Sequence, residues 1–520
     1  MRYLFALGTV VLLVATSLAV PDHTHARTHH LNRYSVIIVL DGSRPKYFNL
    51  VKMPHLRWLM RRGVTYKNAF VGQEIANTPP GHATIGTGLF PKHHGVEGFM
   101  WTDPSTGQMT RPTDLDKVEG GDLEKVLAAH HVDSIASVVH AADPRAKVAS
   151  VAGHKCYAAD AMGTGAADYI LCSLIYHDRW VAQAMGNHRP PPGAINNPHF
   201  DHPIPPPNSG FAPAVEQWQL GAENDWTMRY ALWAFHRIHY PHVLMMNLAE
   251  TDVAMHFAGN NMKIAAVLMR HFDRELGQLI DAYRKAGIFK RTTFVITADH
   301  GMSPVQHRIS FGTVKRAIVT AGASTVYLEA DTAASIGLTQ PSLAKQVALN
   351  IARLGGTLID ATYYKVHARG RWFYRPAYLK PLLSPELRRT YLTLMDTAAA
   401  RSGPDVLAVY APHTTTGDRM ARGYHWLAGH LGPQWDDQHI PLVIAGPGVR
   451  HGSVSSYPAR LVDIAPTVEH LMGLRPGWTD GHVLQDLLVH PDKKLLRKQE
   501  ARARWLLPMV HAMEERSGYR

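Results

Sequence analysis

Ser35-Val36-Ile37-Ile38-Val39-Leu40-Asp41 is an apolar, largely β-branched run closed by a carboxylate. It reads as a strand buried on both faces with a functional group at its carboxyl end. Comparable runs recur at Val148 to Val151, His242 to Leu248, Thr292 to Thr297, Asp405 to Tyr410 and Ile440 to Ala445, with amphipathic helical stretches between them. That alternation predicts an α/β fold with a mostly parallel central sheet. Functional groups in such folds collect just past the carboxyl ends of the strands. Asp41 and Asp299 hold that position, and Asp252 follows its strand by a few residues.

Two stretches interrupt the alternation. His188 to Asn208 carries eight prolines and reads as an extended surface loop (188–208). From about Ser310 to Thr416 the chain has helix and strand signals of its own, the pattern of an inserted cap (about 310–416). A basic helical tail (491–520) follows the expected catalytic domain (33–490).

The chain has 520 residues with 46% hydrophobic content, enough for a large core, and a formal charge of +12. A basic surface concentrates small anionic substrates and would equally suit nucleic acid or a membrane surface. No dense Lys/Arg run with interleaved aromatics and no nucleic-acid-binding signature is present, so no stable nucleic-acid partner is expected. Arg2, the apolar stretch Tyr3 to Val20 and the small residues Ser17 and Ala19 before Pro21 read as a signal peptide (1–20), with an uncleaved anchor as the alternative. The expectation is an exported protein, periplasmic or extracellular, with no integral membrane domain beyond that segment. In such a compartment Cys156 and Cys172, the two cysteines of the chain, would form a local disulfide; two buried thiols are the alternative.

The polar clusters carry the chemistry. Asp252 and His256, four apart, share one face of a helical turn and could bind one ion. Alone that spacing describes an ordinary surface pair, but here it follows a strongly apolar strand. Asp299-His300-Gly301 puts two ligand-type side chains at a strand end, with glycine letting the backbone turn away; an Asx-type turn with an incidental histidine is the alternative. Thr78 precedes Pro79, Pro80 and Gly81, and a helical stretch expected to begin near His82 would offer free N–H groups to an anion. A threonine becomes a nucleophile when nearby cations lower its pKa.

In order and spacing these segments resemble the alkaline phosphatase superfamily and, within it, the type I phosphodiesterase and nucleotide pyrophosphatase group. The segment Thr78-Pro79-Pro80-Gly81-His82-Ala83-Thr84-Ile85-Gly86-Thr87-Gly88, with Pro91 and His94-Gly95-Val96 after it, is similar to that group's nucleophile region. Asp299-His300-Gly301-Met302 resembles its paired metal ligands, and Val462-Asp463-Ile464-Ala465-Pro466-Thr467-Val468 its closing section. The resemblance implies a three-layer alkaline-phosphatase-like fold and two divalent ions, zinc by preference. One ion would take Asp41, Asp299, His300 and Thr78, the other Asp252, His256 and His430. The group usually has glycine after that last histidine, where this chain has Leu431, so His425 and His439 stand as substitutes. The implied reaction is in-line attack by Thr78 on phosphorus, giving a phospho-threonine that is then hydrolysed.

Substrate is less constrained. The asparagine that phosphodiesterases of the group carry after His-Gly is missing from Val96-Glu97-Gly98-Phe99-Met100-Trp101. Of the Lys and Arg that related monoesterases use, Gly153-His154-Lys155-Cys156-Tyr157 retains Lys155, with His154 beside it. Lys155 would hold a phosphoryl oxygen, or else be a solvated lysine. Phe99 and Trp101 would stack on an aromatic leaving group, or else pack in the core. The expected function is a phosphodiesterase acting on a small anionic phosphoester. A phosphomonoesterase or phosphonate hydrolase is the alternative, and a non-catalytic binding protein a further rival. A sulfatase is disfavoured because no Cys-x-Pro-x-Arg pattern surrounds Thr78.

Overall fold

The run at residues 35–40 folds as a strand one residue longer than expected, β1 (Tyr34–Leu40), in a computed structural model that describes residues 30–176, 179–184, 192, 193, 202, 203, 220–417 and 426–518. The expected signal segment, most of the proline-rich stretch and His425 lie outside the described residues.

β1 lies at the middle of a ten-stranded sheet. Its other strands are β2 (Gly63–Tyr66), β3 (Val148–Ala152), β4 (Tyr169–Tyr176), β5 (Arg179–Ala184), β6 (His202–Pro203), β7 (Val243–Leu248) and β8 (Thr292–Thr297), with β14 (Leu442–Ala445) and β15 (Ser453–Ser455) late in the chain. The order is β15-β2-β14-β8-β1-β7-β3-β4-β5-β6. The five strands β8-β1-β7-β3-β4 run parallel, and antiparallel pairs join β14 to β8 and β5 to β4. The strand read at Ile440 to Ala445 is thus an antiparallel member.

Side-chain alternation along β1 divides the core. Val36, Ile38 and Leu40 pack with Trp226 and Phe235 of α3 (Ala222–Arg237) and with Leu268, Leu276 and Ile280 of α5 (Met262–Lys285). Ile37 and Val39 face the other layer, with Ile85 of α1 (Thr78–Thr87), Met162 of α2 (Cys156–Gly163) and Val468 of α8 (Ile464–Leu471). Helices on both faces leave no solvated side, which is why the strand is apolar throughout rather than alternating. Each such side chain contributes roughly 1.5–3 kcal/mol on burial.

A second, five-stranded antiparallel sheet is built from β9 (Thr325–Ala330), β10 (Ala333–Leu338), β11 (Ile359–Ala368), β12 (Arg371–Leu379) and β13 (Val406–Tyr410), in the order β9-β10-β13-β11-β12. Val314 and Ile318 of α6 (Phe311–Thr320) and Val347 and Ile351 of α7 (Ala344–Gly355) cover it with a separate core. The run read at Asp405 to Tyr410 therefore belongs to this sheet, because its inward residues find their partners on β10 and β11. Cys156 at the start of α2 and Cys172 in β4 are joined in a disulfide. The chain closes in α9 (Lys493–Arg516).

Candidate active site

Three strand ends and one helix start converge. Asp41 ends β1, and Gly42 turns the chain at φ +65°, where an added Cβ would lie 3.0 Å from the Asp252 backbone. The Gly42 and His300 N–H groups both donate to Asp299 Oδ1, at 3.2 and 3.0 Å, and pin the loop after β8 to the loop after β1. A Cβ on Gly301 would meet the Asp436 carbonyl oxygen at 2.1 Å, so the turn needs glycine at that point. After β7 comes α4 (Glu250–Ala258), which carries Asp252 and His256 on one face. His430 arrives from a distant segment and stacks on His300 with ring centroids 3.5 Å apart.

The three imidazoles share one arrangement. Nδ1 of His256, His300 and His430 faces the carbonyl oxygens of Ala428, Gly301 and Ala76, each at 2.9 Å. A carbonyl only accepts, so the proton sits on Nδ1 and the Nε2 lone pair points into the site. There it meets carboxylate oxygens: His256 and His430 Nε2 lie 3.2 and 3.3 Å from Asp252 Oδ1, and His300 Nε2 lies 3.3 Å from Asp299 Oδ2. Asp252 Oδ1 and Asp299 Oδ2 are buried without a hydrogen-bond donor. Acceptors facing acceptors in a buried site are what a bound cation resolves, and backbone-held Nδ1–H groups are the usual outer support of metal-binding histidines. The residues therefore fit divalent ions: Asp252, His256 and His430 gather within 4.8 Å as expected for one, whereas Asp41 groups with His82 and Asp299 and, separately, with Asp252 and His300, rather than with Asp299 and His300 together. Burial and the neighbouring His300 push His430 down to about 4, whereas at His256 burial is outweighed by the Asp252 charge, which holds it above the usual histidine value. Burial and the Asp299 charge push Asp41 up to about 6.

Thr78 sits at the first turn of α1, its hydroxyl 3.2 Å from His300 Nε2. The helix starts four residues before the expected position near His82, and its N-terminus offers no anion site. The Thr78 N–H is taken by the Asn77 side chain at 2.9 Å, Pro79 and Pro80 have no N–H, and the Gly81 N–H donates to the Asn77 carbonyl. A cation stands beside the Thr78 hydroxyl. Lys155, in the turn after β3 and 4% exposed, points its ammonium at Asp252 Oδ2 (2.7 Å), Asp41 Oδ1 (2.9 Å) and Thr78 Oγ1 (3.3 Å). Burial works against its charge, but Asp252 and Asp41 outweigh that and hold it well above the usual lysine range.

A cavity of about 330 Å³ opens from Thr78 and Lys155 past Phe99, Tyr157, Phe257 and Trp426. Phe99 meets Tyr157 edge to face, and Trp426 lies over His256 with centroids 4.0 Å apart. His154 lines the same cavity and is anchored through Nδ1 to buried Glu223 at 2.7 Å. Trp101 does not reach it. That ring is 2% exposed in a small core with Val96, Leu123, Leu127 and Tyr327, paired in a short strand with Thr110. His439 is also elsewhere, stacked on Trp435 with its Nε2–H donating to the Lys67 carbonyl.

Three further residues belong here. His82, one turn after Thr78, lies 3.4 Å from Asp299 Oδ2, and its i,i+4 spacing from Thr78 was the signal for it. Glu329 of β9 accepts from Asn77 Nδ2 at 2.5 Å and from the Phe99 N–H at 3.2 Å, so the second sheet braces the residue that caps α1. Asp331 accepts from the His430 N–H and from Thr415, behind the histidine ring. No local pattern marks these two carboxylates, which come from far along the chain.

A family model for type I phosphodiesterase/nucleotide pyrophosphatase matches residues 35–419. Among relatives, an uncharacterized pyrophosphatase/phosphodiesterase of Schizosaccharomyces pombe is 21% identical over 278 residues, covering 52% of this chain and 44% of the relative. Alkaline phosphatase PhoK of a Sphingomonas species is 24% identical over 303 residues, covering 49% of this chain and 52% of the relative. The chain thus spans about half the length of these curated relatives. Among solved structures, alkaline phosphatase PafA aligns with a TM-score of 0.65 at 15% identity, over 88% of this chain and 99% of that one. Murine ectonucleotide pyrophosphatase/phosphodiesterase 5 in complex with AMP aligns with a TM-score of 0.57 at 17% identity, over 88% of this chain and 100% of that one. These likenesses show an alkaline-phosphatase-like fold.

Proposed function

The chain belongs to the type I phosphodiesterase/nucleotide pyrophosphatase family, and from that premise we propose that it is an exported two-metal phosphoric-ester hydrolase that cleaves diester or pyrophosphate bonds through Thr78. The observation that carries this reading is the placement of the Thr78 hydroxyl against His300 and Lys155, between two groups of acceptors that face one another. We assign zinc to both sites from the imidazole content of the donor set: Asp41, Thr78, Asp299 and His300 for one ion, Asp252, His256 and His430 for the other. When bound, the ions supply positive charge at the attacking and leaving oxygens.

The chain's own residues do the rest. Thr78 Oγ1 gives up its proton and forms the bond to phosphorus while the bond to the leaving oxygen breaks, the leaving alcohol taking up a proton from solvent. Water then cleaves the phosphorus–Oγ1 bond, which releases the phosphoryl product and restores the Thr78 hydroxyl. Asn77 holds the start of α1 and so the direction of that hydroxyl. Lys155 holds a non-bridging oxygen in place of the missing asparagine. Phe99, Tyr157, Phe257 and Trp426 enclose an apolar leaving group; a nucleoside would suit these walls, and one family member of the same fold has been solved with AMP. Among the described residues no helix is long and apolar enough to cross a membrane.

Lys155 also favours a second reading. A buried ammonium at the nucleophile suits the additional charge of a phosphomonoester. Hydrolysis of bis-p-nitrophenyl phosphate and p-nitrophenyl phosphate by the zinc-loaded protein, with Thr78→Ala beside it, separates the two. Faster Thr78-dependent diester cleavage supports the diesterase, monoester preference moves the function to a phosphatase, and turnover of neither by the parent overturns both.

A further inference from the structure

α9 carries a feature that the hydrolase does not use. Lys493, Lys494, Arg497, Lys498 and Arg504 fall, with Trp505, within an arc of about 140° at 100° per residue, opposite the buried Leu506, Val510 and Met513. All five cations are exposed, and none is within ion-pair distance of a carboxylate among the described residues. Trp505 is 51% exposed.

At the N-terminus of α9 the Asp492 side chain accepts from the Lys494 and Leu495 N–H groups, and its charge lies near Lys494 and Arg497. The exposed Glu515 falls on the same arc. Against these two carboxylates the five exposed cations leave the face positive, and a partner that complements it is anionic.

We propose that the exposed face of α9 docks on an anionic lipid surface. The face is a convex stripe rather than a channel that could track a polymer strand. Exposed cations leading to a protruding indole match a headgroup layer: the charges meet lipid phosphates and the indole enters the acyl boundary.

The test is sedimentation of the full chain with vesicles of phosphatidylcholine alone or containing one-third phosphatidylglycerol. Binding to the mixed vesicles alone, weakening as salt rises, is expected. The variant K494E/R497E/K498E should lose on the order of 100-fold in binding, and W505A should lose less. Each should keep the parent's melting temperature and its rate on a soluble phosphoester, since glutamates suit a helix N-terminus. Absence of parental binding to mixed vesicles, or undiminished binding by the charge-reversed variant, would overturn the proposal. So would retention on heparin or an oligonucleotide without vesicle binding, which would give the stripe to a polymer instead.

Discussion

The Lys155 ammonium stands 3.3 Å from the Thr78 hydroxyl oxygen and bridges Asp41 and Asp252, one carboxylate from each candidate ion site. On the proposed reading, an ammonium in that place also meets the anion that Thr78 would attack. Removing it should therefore affect a dianionic substrate more than a monoanionic one. Lys155→Ala is expected to lower kcat/KM for p-nitrophenyl phosphate by roughly 10- to 100-fold, the worth of a charged hydrogen bond, and for the bis-p-nitrophenyl diester by less. Equal losses on both would show that the lysine only holds Asp41 and Asp252 in place.

Thr78→Ala should abolish turnover while the protein stays folded. The N-terminal bonds of α1 run through Asn77 rather than through the Thr78 side chain, so the thermal stability of the chelated protein should fall only by the loss of the Lys155–Thr78 hydrogen bond, about 1–2 kcal/mol. Mass spectrometry of the parent quenched during turnover should find phosphate on the peptide carrying Thr78, and none in the variant.

Metal removal has a readout apart from activity. Ions that bind the folded state and not the unfolded one stabilise it, by about 2.7 kcal/mol when free metal is a hundredfold above Kd. A strong chelator should lower Tm, and added zinc should restore it. His430→Ala, which removes one imidazole from the Asp252 and His256 group, should show a smaller zinc-dependent rise.

Glu97 supplies a pH dependence outside the candidate ligand groups. It is 2% exposed, accepts from Ser402 at 3.0 Å, and burial pushes it up to about 7. Its folded-state value is raised, so its contribution is fully present below the unfolded value near 4.3 and is lost as pH rises through about 7. Glu97→Gln keeps the acceptor for Ser402 and cannot ionise. It should match the parent in denaturant melts at pH 4 and exceed it by about 3 kcal/mol above pH 8.

The Cys156–Cys172 disulfide closes a short loop, with a sequence separation of 16. Cross-links over loops of that size stabilise by about 3 kcal/mol through the unfolded chain. Replacing both cysteines with serine should lower stability by about that amount. Because Cys156 follows Lys155 directly, the loss of activity should exceed what the unfolded fraction explains.

How much was legible follows from where each signal resides. Strands buried on both faces announce themselves as apolar runs, so β1, β3, β7 and β8 were readable to within a residue or so. The run at Asp405 to Tyr410 looked the same but pairs in the second sheet, because an apolar run records burial and not the identity of its neighbours. α1 starts at Thr78 rather than near His82, because prolines are tolerated in the first turn of a helix. Trp101 shows the same limit for side chains: an aromatic beside a motif reads alike whether it faces ligand or core.

By itself the sequence determined the α/β alternation, the order of the polar clusters at strand ends and the residue types able to hold cations, because these depend on local periodicity and on side-chain chemistry. The tertiary structure decided which groups meet. It brought Lys155 to Thr78, set three Nε2 lone pairs against carboxylates, and carried Glu329 from the second sheet to Asn77. Those relationships join residues from different parts of the chain, and only the packing of the two sheets fixes the distances on which their chemistry depends.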